Sequence, residues 1–210
     1  MESELTLEAA ECVAPSRGRP RQFCADAALA AALKVFWTRG YEGASMAELT
    51  EAMGITKPSL YACFGNKESL FSKALDLYER DKLAYVHTAL DAPTAKGVAE
   101  RFLKGALALQ TGSGDPRGCM GVISVVACAN FAESIRQDVM ARRVSSDQAI
   151  VARFVRAKAE GDLPDTVTPE ALAAYLSAMM QGLSVQAGAG MKPDQLTQLV
   201  DTTLALWPGR

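Results

Sequence analysis

Between Ser45 and Gly65 the chain carries two consecutive start-and-stop signals for short helices, and this spacing constrains everything around it. Ser45 is a good N-cap with Glu48 three residues on, which is a capping box. The short helix it opens buries Met46, Leu49 and Met53 and stops at Gly54. Thr56 can cap a second short helix, with Pro58 tolerated in its first turn and Leu60 and Phe64 facing inward, before Gly65-Asn66 breaks the chain again.

Longer helices are expected on each side. Leu29, Leu33, Phe36 and Trp37 fall at helical spacing, with Asp26 in the first turn and Gly40 as the C-terminal cap. From Lys67 a long helix is expected to keep Leu70, Phe71, Ala74, Leu75, Tyr78 and Tyr85 on one stripe. Two short helices joined at a glycine and flanked by longer ones match a helix-turn-helix reader of DNA. The second short helix would present Lys57, Ser59, Ala62 and Cys63 outward, with Tyr61 near the edge. Any compact three-helix bundle could contain the same features without reading DNA.

The remainder reads as helical too. Val98, Phe102, Ala106 and Leu109 form one stripe, ended by the loop from Thr111 to Pro116. An apolar helix is expected from Gly121 to about Phe131, and a longer one carries Ile135, Val139, Ile150, Phe154 and Val155 up to Gly161. Two more follow Pro164 and Pro169. No period-2 run reaches strand length, so the chain is expected to be all-α, a helix-turn-helix headpiece followed by a helical domain. The expected division is an arm over 1–22, a DNA-binding domain over 23–75 and a ligand-binding and dimerisation domain over 76–210.

Composition narrows the class. The net charge of −2 does not by itself suggest a nucleic-acid binder. Its distribution does, because an acidic start is followed by Arg17, Arg19 and Arg21, interleaved with Gly18 and Pro20. Such an arm suits a flexible tail on phosphates or in a minor groove, and a plain solvated tail is the alternative. Five scattered cysteines without a CxxC pair argue against a disulfide framework or a closed zinc site. No apolar run approaches the roughly 20 residues that span a bilayer, so no membrane partner and a cytoplasmic, nucleoid-associated protein are expected.

Residues 36–71, FWTRGYEGASMAELTEAMGITKPSLYACFGNKESLF, closely resemble the N-terminal domain of the tetracycline-repressor family. Phe36, Gly40-Tyr41, Ser45, Ala52-x-Gly54-Ile55, Leu60-Tyr61-x-x-Phe64 and Lys67-Glu68-x-Leu70 carry the likeness, over roughly residues 23–75. Ala62 and Cys63 depart from the bulkier residues often found there. The resemblance implies a DNA-binding regulator, for the most part a repressor, that grips a palindromic double-stranded operator as a homodimer. It also implies roles. Ser45 would hold a phosphate, Thr56, Lys57, Pro58 and Ser59 would meet the major groove, and Tyr61 and Lys67 would reach further phosphates. Arg19 and Arg21 in the arm would extend the footprint.

For the helical domain the resemblance implies an effector pocket and a dimer interface. A small apolar effector is expected near His87, Phe102, Ala106, Met120, Ile123, Phe131 and Met179. The last two helices would pair with their copies through Leu176, Met180, Leu183, Leu199 and Leu204. No cofactor and no metal are expected, since His87 is the only histidine. A thiol sensor at Cys119, near Arg117, is an alternative signal. An enzyme lacks its parts, with no GxSxG, P-loop or HExxH. A helical protein-interaction module would explain the apolar helices but not the arm and the reading helix.

Overall fold

A computed structural model describes residues 24–127 and 133–209. Among them it contains α-helices and no strand, in the order α1 (Ala25–Gly43), α2 (Met46–Met53), α3 (Lys57–Phe64), α4 (Lys67–Lys82), α5 (Ala84–Leu90), α6 (Ala95–Thr111), α7 (Met120–Ala127), α8 (Glu133–Ala159), α9 (Pro169–Gly188) and α10 (Pro193–Ala205). The all-α expectation holds.

The headpiece is built from local signals. Ser45 Oγ accepts the Glu48 N–H at 3.1 Å, and the Glu48 carboxylate accepts the Ser45 N–H at 3.1 Å, which completes the capping box and starts α2. Gly54, at φ 65°, closes α2 in the left-handed conformation that glycine adopts without strain. The Ile55 N–H then reaches back to the Thr50 carbonyl, the wrap that satisfies the last turn of a helix. Thr56 accepts the Ser59 N–H and opens α3. These helices close on a buried core of Phe36, Trp37, Leu49, Leu60, Leu70 and Phe71. Leu49 and Leu60 are fully buried, and truncating either to alanine would cost about 2–5 kcal/mol.

Gly40 breaks α1 at φ 69°, which turns Tyr41 inward onto Phe71 at 5.2 Å between ring centres. The first core does not stop at the headpiece. It takes in Tyr78 of α4, Cys119 and Met120 around the start of α7, and Ile135 and Val139 of α8. The division expected at residue 75 therefore falls inside α4, within one continuous packing unit. A second core lies between α5, α6, α8, α9 and α10 around Phe102, Leu103, Ile150, Phe154, Leu176 and Leu183.

Two expectations need correction. The helix from Lys67 does not run on to Tyr85, because it ends at Lys82 and Leu83 adopts φ −105°, ψ 9° before α5 begins. The cause lies elsewhere in the fold. A Cβ on Gly105 of α6 would overlap the Tyr85 ring, so α5 swings over to rest Tyr85 on that bare stretch of backbone. Lastly, Leu176 and Leu183, expected at a dimer interface, are 0% and 1% exposed because they fill the protomer's own second core.

Candidate functional site

The outward side of the α2–α3 unit combines exposed polar groups with helix N-termini. Lys57 and Lys67 occupy the first positions of α3 and α4. A helix N-terminus already carries partial positive charge, so a lysine there works against the helix by about 0.3–1 kcal/mol. No acidic residue offsets Lys57 in the first turn of α3. Lys57 thus forms a local excess of positive charge that an anion would relieve, while Lys67 shares its first turn with Glu68. The first turn of α2 instead carries an acid at its third position, Glu48, whose carboxyl is held below its ordinary range by hydrogen bonds from the Ser45 backbone and side chain and by the Arg39 charge.

The other expected DNA-facing residues sit on the same unit. Ser45, Thr56 and Pro58 are exposed, Ser59 is half-buried, and Tyr61 is an exposed large aromatic at 46%. Ala62 and Cys63 are also exposed. The hydroxyls of Thr56 and Ser59 share a hydrogen bond at 2.9 Å, which fixes both at the start of α3. Lys67 Nζ lies 4.4 Å from the centre of the Tyr41 ring, a cation–π contact that holds the ammonium near the surface of the headpiece. Arg19 and Arg21 lie outside the described residues.

Behind the headpiece lies a cavity of about 180 Å³ between α4, α6, α7, α8 and α9. Leu75, Phe102, Val122, Val139, Ile150 and Met180 give it an apolar body. Its polar groups are largely committed to one another. Arg142 of α8 makes ion pairs with Asp76 at 2.8 Å, Glu79 at 2.9 Å and Asp138 at 2.8 Å. Burial disfavours its charge, but the Asp138 and Asp76 hydrogen bonds and the Glu79 charge outweigh burial and hold the guanidinium firmly protonated. Asp147 accepts the Ser177 hydroxyl at 2.7 Å and faces Arg143 at 3.7 Å. Tyr78 also lines the cavity, and burial, with Cys119 beside it, pushes its hydroxyl well above the ordinary phenol range.

The expected pocket overlaps this cavity only in part. Phe102 lines it. Met120 and Ala106 do not reach it, being 0% and 1% exposed within the cores behind the wall. Ile123 packs over Gly118, and Met179 turns toward Thr203 of α10. His87 is exposed on α5, away from the cavity. Phe131 lies outside the described residues. Sequence reasoning missed Arg142, Asp147 and Ser177, which carry no motif and meet only through tertiary packing. Cys119, expected as a thiol sensor, does line the cavity. Met180, expected at the dimer interface, lines the cavity instead, while Leu199 and Leu204 pack against the second core.

Among the described residues no helix is long and apolar enough to cross a membrane, and no group of three metal-binding side chains converges.

Known proteins give the arrangement its context. Residues 28–74 match the family model described as bacterial regulatory proteins, tetR family. The HTH-type transcriptional repressor ComR of Escherichia coli K12 is 34% identical over 97% of this chain and 98% of its own length. The repressor BdcR of the same organism is 30% identical over 85% of this chain and 86% of its own. The TetR family regulator CifR, solved as a cysteine mutant on a 26-base-pair double-stranded operator, superposes with a TM-score of 0.84. It is 41% identical and covers 90% of this chain and 100% of its own. The chain thus belongs to the tetR family of bacterial regulatory proteins, transcriptional regulators that act by binding DNA and not as enzymes.

Proposed function

We propose that this TetR-family repressor binds a palindromic operator as a homodimer, reads it with the N-terminal turn of α3, and is released when a small molecule occupies the cavity behind the headpiece. The observation that carries the reading is Lys57, exposed at the first position of α3 with no acidic residue in that turn. Thr56, Lys57, Pro58 and Ser59 meet base edges. Ser45, Tyr61, Lys67 and the arm residues Arg19 and Arg21 hold phosphates. The 26-base-pair operator on which CifR was solved is long enough for two half-sites one helical turn apart, about 34–36 Å.

The partner protomer meets the outer face of α9. Ala171, Tyr175, Ala178, Gly182 and Val185 fall on that face at helical spacing. Tyr175 and Val185 are 38% and 54% exposed, and a Cβ on Gly182 would touch nothing within 4 Å. Small residues there allow a second copy of α9 to approach closely.

Selection of bound duplexes from a random pool tests the reading. A palindromic consensus supports it. Failure to retain any duplex favours a helical protein-interaction module.

A second reading of the signal rests on Cys119, whose place in the cavity wall puts a thiol within reach of an electrophile that enters there. Cys119→Ser would then abolish release by a thiol-alkylating reagent while leaving operator affinity as before. Undiminished release in that variant would remove this second reading.

A further inference from the structure

Trp37 joins the first helix of the headpiece to the cavity wall by both a hydrogen bond and a ring contact. It is 1% exposed on α1, inside the core shared with α2 and α3. Its indole N–H donates to the Gly118 carbonyl at 2.7 Å, and its ring meets the Tyr78 ring edge-on at 4.8 Å. Tyr78 lines the cavity, and so does Cys119, the residue after Gly118. The Gly118 peptide is gripped from its other side as well. Its N–H donates to Gln110 Oε1 of α6 at 2.6 Å, and the Gln110 amide reaches Ser184 of α9 at 3.4 Å. Gly118 sits at φ 95°, and a Cβ there would lie 3.1 Å from Ile123. A displaced cavity wall therefore strains either the Gln110 bond or the Trp37 bond.

The cavity also restricts what can enter it. Its volume of about 180 Å³ is slightly above the roughly 150 Å³ at which an engineered apolar cavity accepts benzene. The charged groups that line it balance and pair with one another, Glu79 with Arg142 and Asp147 with Arg143, and Asp147 also accepts the Ser177 hydroxyl. A charged ligand would lose its hydration and find no uncommitted counter-charge there.

Resting on the release reading above, we infer that the cavity takes a neutral, predominantly apolar molecule about the size of a monosubstituted benzene, and that its arrival is passed to the reading helices through Trp37. Occupancy shifts Tyr78 and the Gly118–Cys119 peptide, and Trp37 carries that shift into the core on which α2 and α3 rest.

The full chain with Trp207→Phe tests both halves. The Trp207 indole N–H has no acceptor among the described residues, so phenylalanine sacrifices no hydrogen bond seen there and leaves Trp37 as the only tryptophan. Toluene, benzyl alcohol, benzoate and benzylammonium share one ring and differ in charge. Saturation-transfer NMR reads their binding, tryptophan emission reads Trp37, and fluorescence anisotropy on the selected operator reads release. Toluene and benzyl alcohol should bind roughly tenfold or more tighter than the two ions, since burying an unpaired charge costs several kcal/mol. Trp37 emission should shift in step with their binding. In Trp37→Phe an aromatic ring is kept in the core while the N–H bond goes, so the same probes should bind within about twofold of the parent affinity but lose most of their effect on the operator.

Binding of either ion as tight as that of the neutral probes would overturn the ligand class, as would failure of both neutral probes to bind. Bound probe with unchanged Trp37 emission would overturn the relay, and this measurement stands even if Trp37→Phe does not fold. An undiminished operator response in a folded Trp37→Phe protein would overturn it too. Emission that follows binding while operator affinity stays fixed would uphold the contact between cavity and headpiece and sink the release reading instead.

Discussion

The face of the α2–α3 unit and the wall of the cavity spend their charges in opposite ways. Lys57 is exposed at the head of α3 and forms no ion pair among the described residues. Arg142 is the reverse case: its side chain is 23% exposed and bound to three carboxylates from two helices. An uncommitted cation at a helix N-terminus has a partner to gain, and a polyanion supplies it. A saturated cation offers a ligand little and serves instead to tie α8 to α4. The headpiece thus keeps its charge for a partner outside the molecule, while the cavity uses its charge for cohesion.

The comparison breaks most readily at the proposed dimer face. Val185→Asp or Ala178→Asp should give monomers in sedimentation velocity and weaken operator binding by roughly two orders of magnitude or more, because two headpieces are no longer tied together. Dimers that persist in both variants would place the partner on another surface.

Arg142→Ala should be the next largest effect. It leaves Asp76, Glu79 and Asp138 as neighbouring carboxylates without their shared cation, and should cost about 2 kcal/mol in urea unfolding after allowance for partial exposure. Lys57→Ala should change stability by less than about 0.5 kcal/mol in the same assay. Similar losses for the two would erase the contrast.

Two glycines sharpen it further. Gly54→Ala puts a side chain at φ 65° but into open space, and should cost about 1 kcal/mol. Gly118→Ala adds a 3.1 Å approach to Ile123 to the same kind of backbone strain, and should cost more, about 2 kcal/mol. Thermal unfolding of the two variants would rank them, and the reverse order would show that the Gly118 loop yields more easily than its hydrogen bonds suggest.

The smallest expected effects are those of the surface lysines on DNA. Lys67→Ala should weaken all sequences alike, severalfold at moderate salt, and lower the salt slope by about one. An unchanged slope, measured by anisotropy over a salt series, would remove Lys67 from the phosphate contacts.

The two regions also differ in how far the sequence discloses them. The bounds of α2 and α3 follow from Ser45, Glu48, Gly54, Thr56 and Gly65, all within a few residues of the ends they set, so local chemistry was enough. The end of α4 is different. Leu83 stands in a stretch without glycine or proline, and the break follows from Tyr85 lying on Gly105, twenty positions away. Apolar periodicity identified residues of α9 as buried without showing what buries them, and Leu176 and Leu183 turned out to serve the protomer's own core. Arg142 and Asp147 were invisible as cavity residues because a charge on a long helix reads as solvent-facing until its partners on α4 and α9 are known.

In the proposed function α3 reads bases while Lys67 only holds backbone. Selection from a random duplex pool by the parent chain, Lys57→Ala, Ser59→Ala and Lys67→Ala tests it most directly. The account predicts an altered consensus for the two α3 variants and the parent consensus, bound more weakly, for Lys67→Ala. An unchanged consensus from both α3 variants, or a new one from Lys67→Ala, would contradict it.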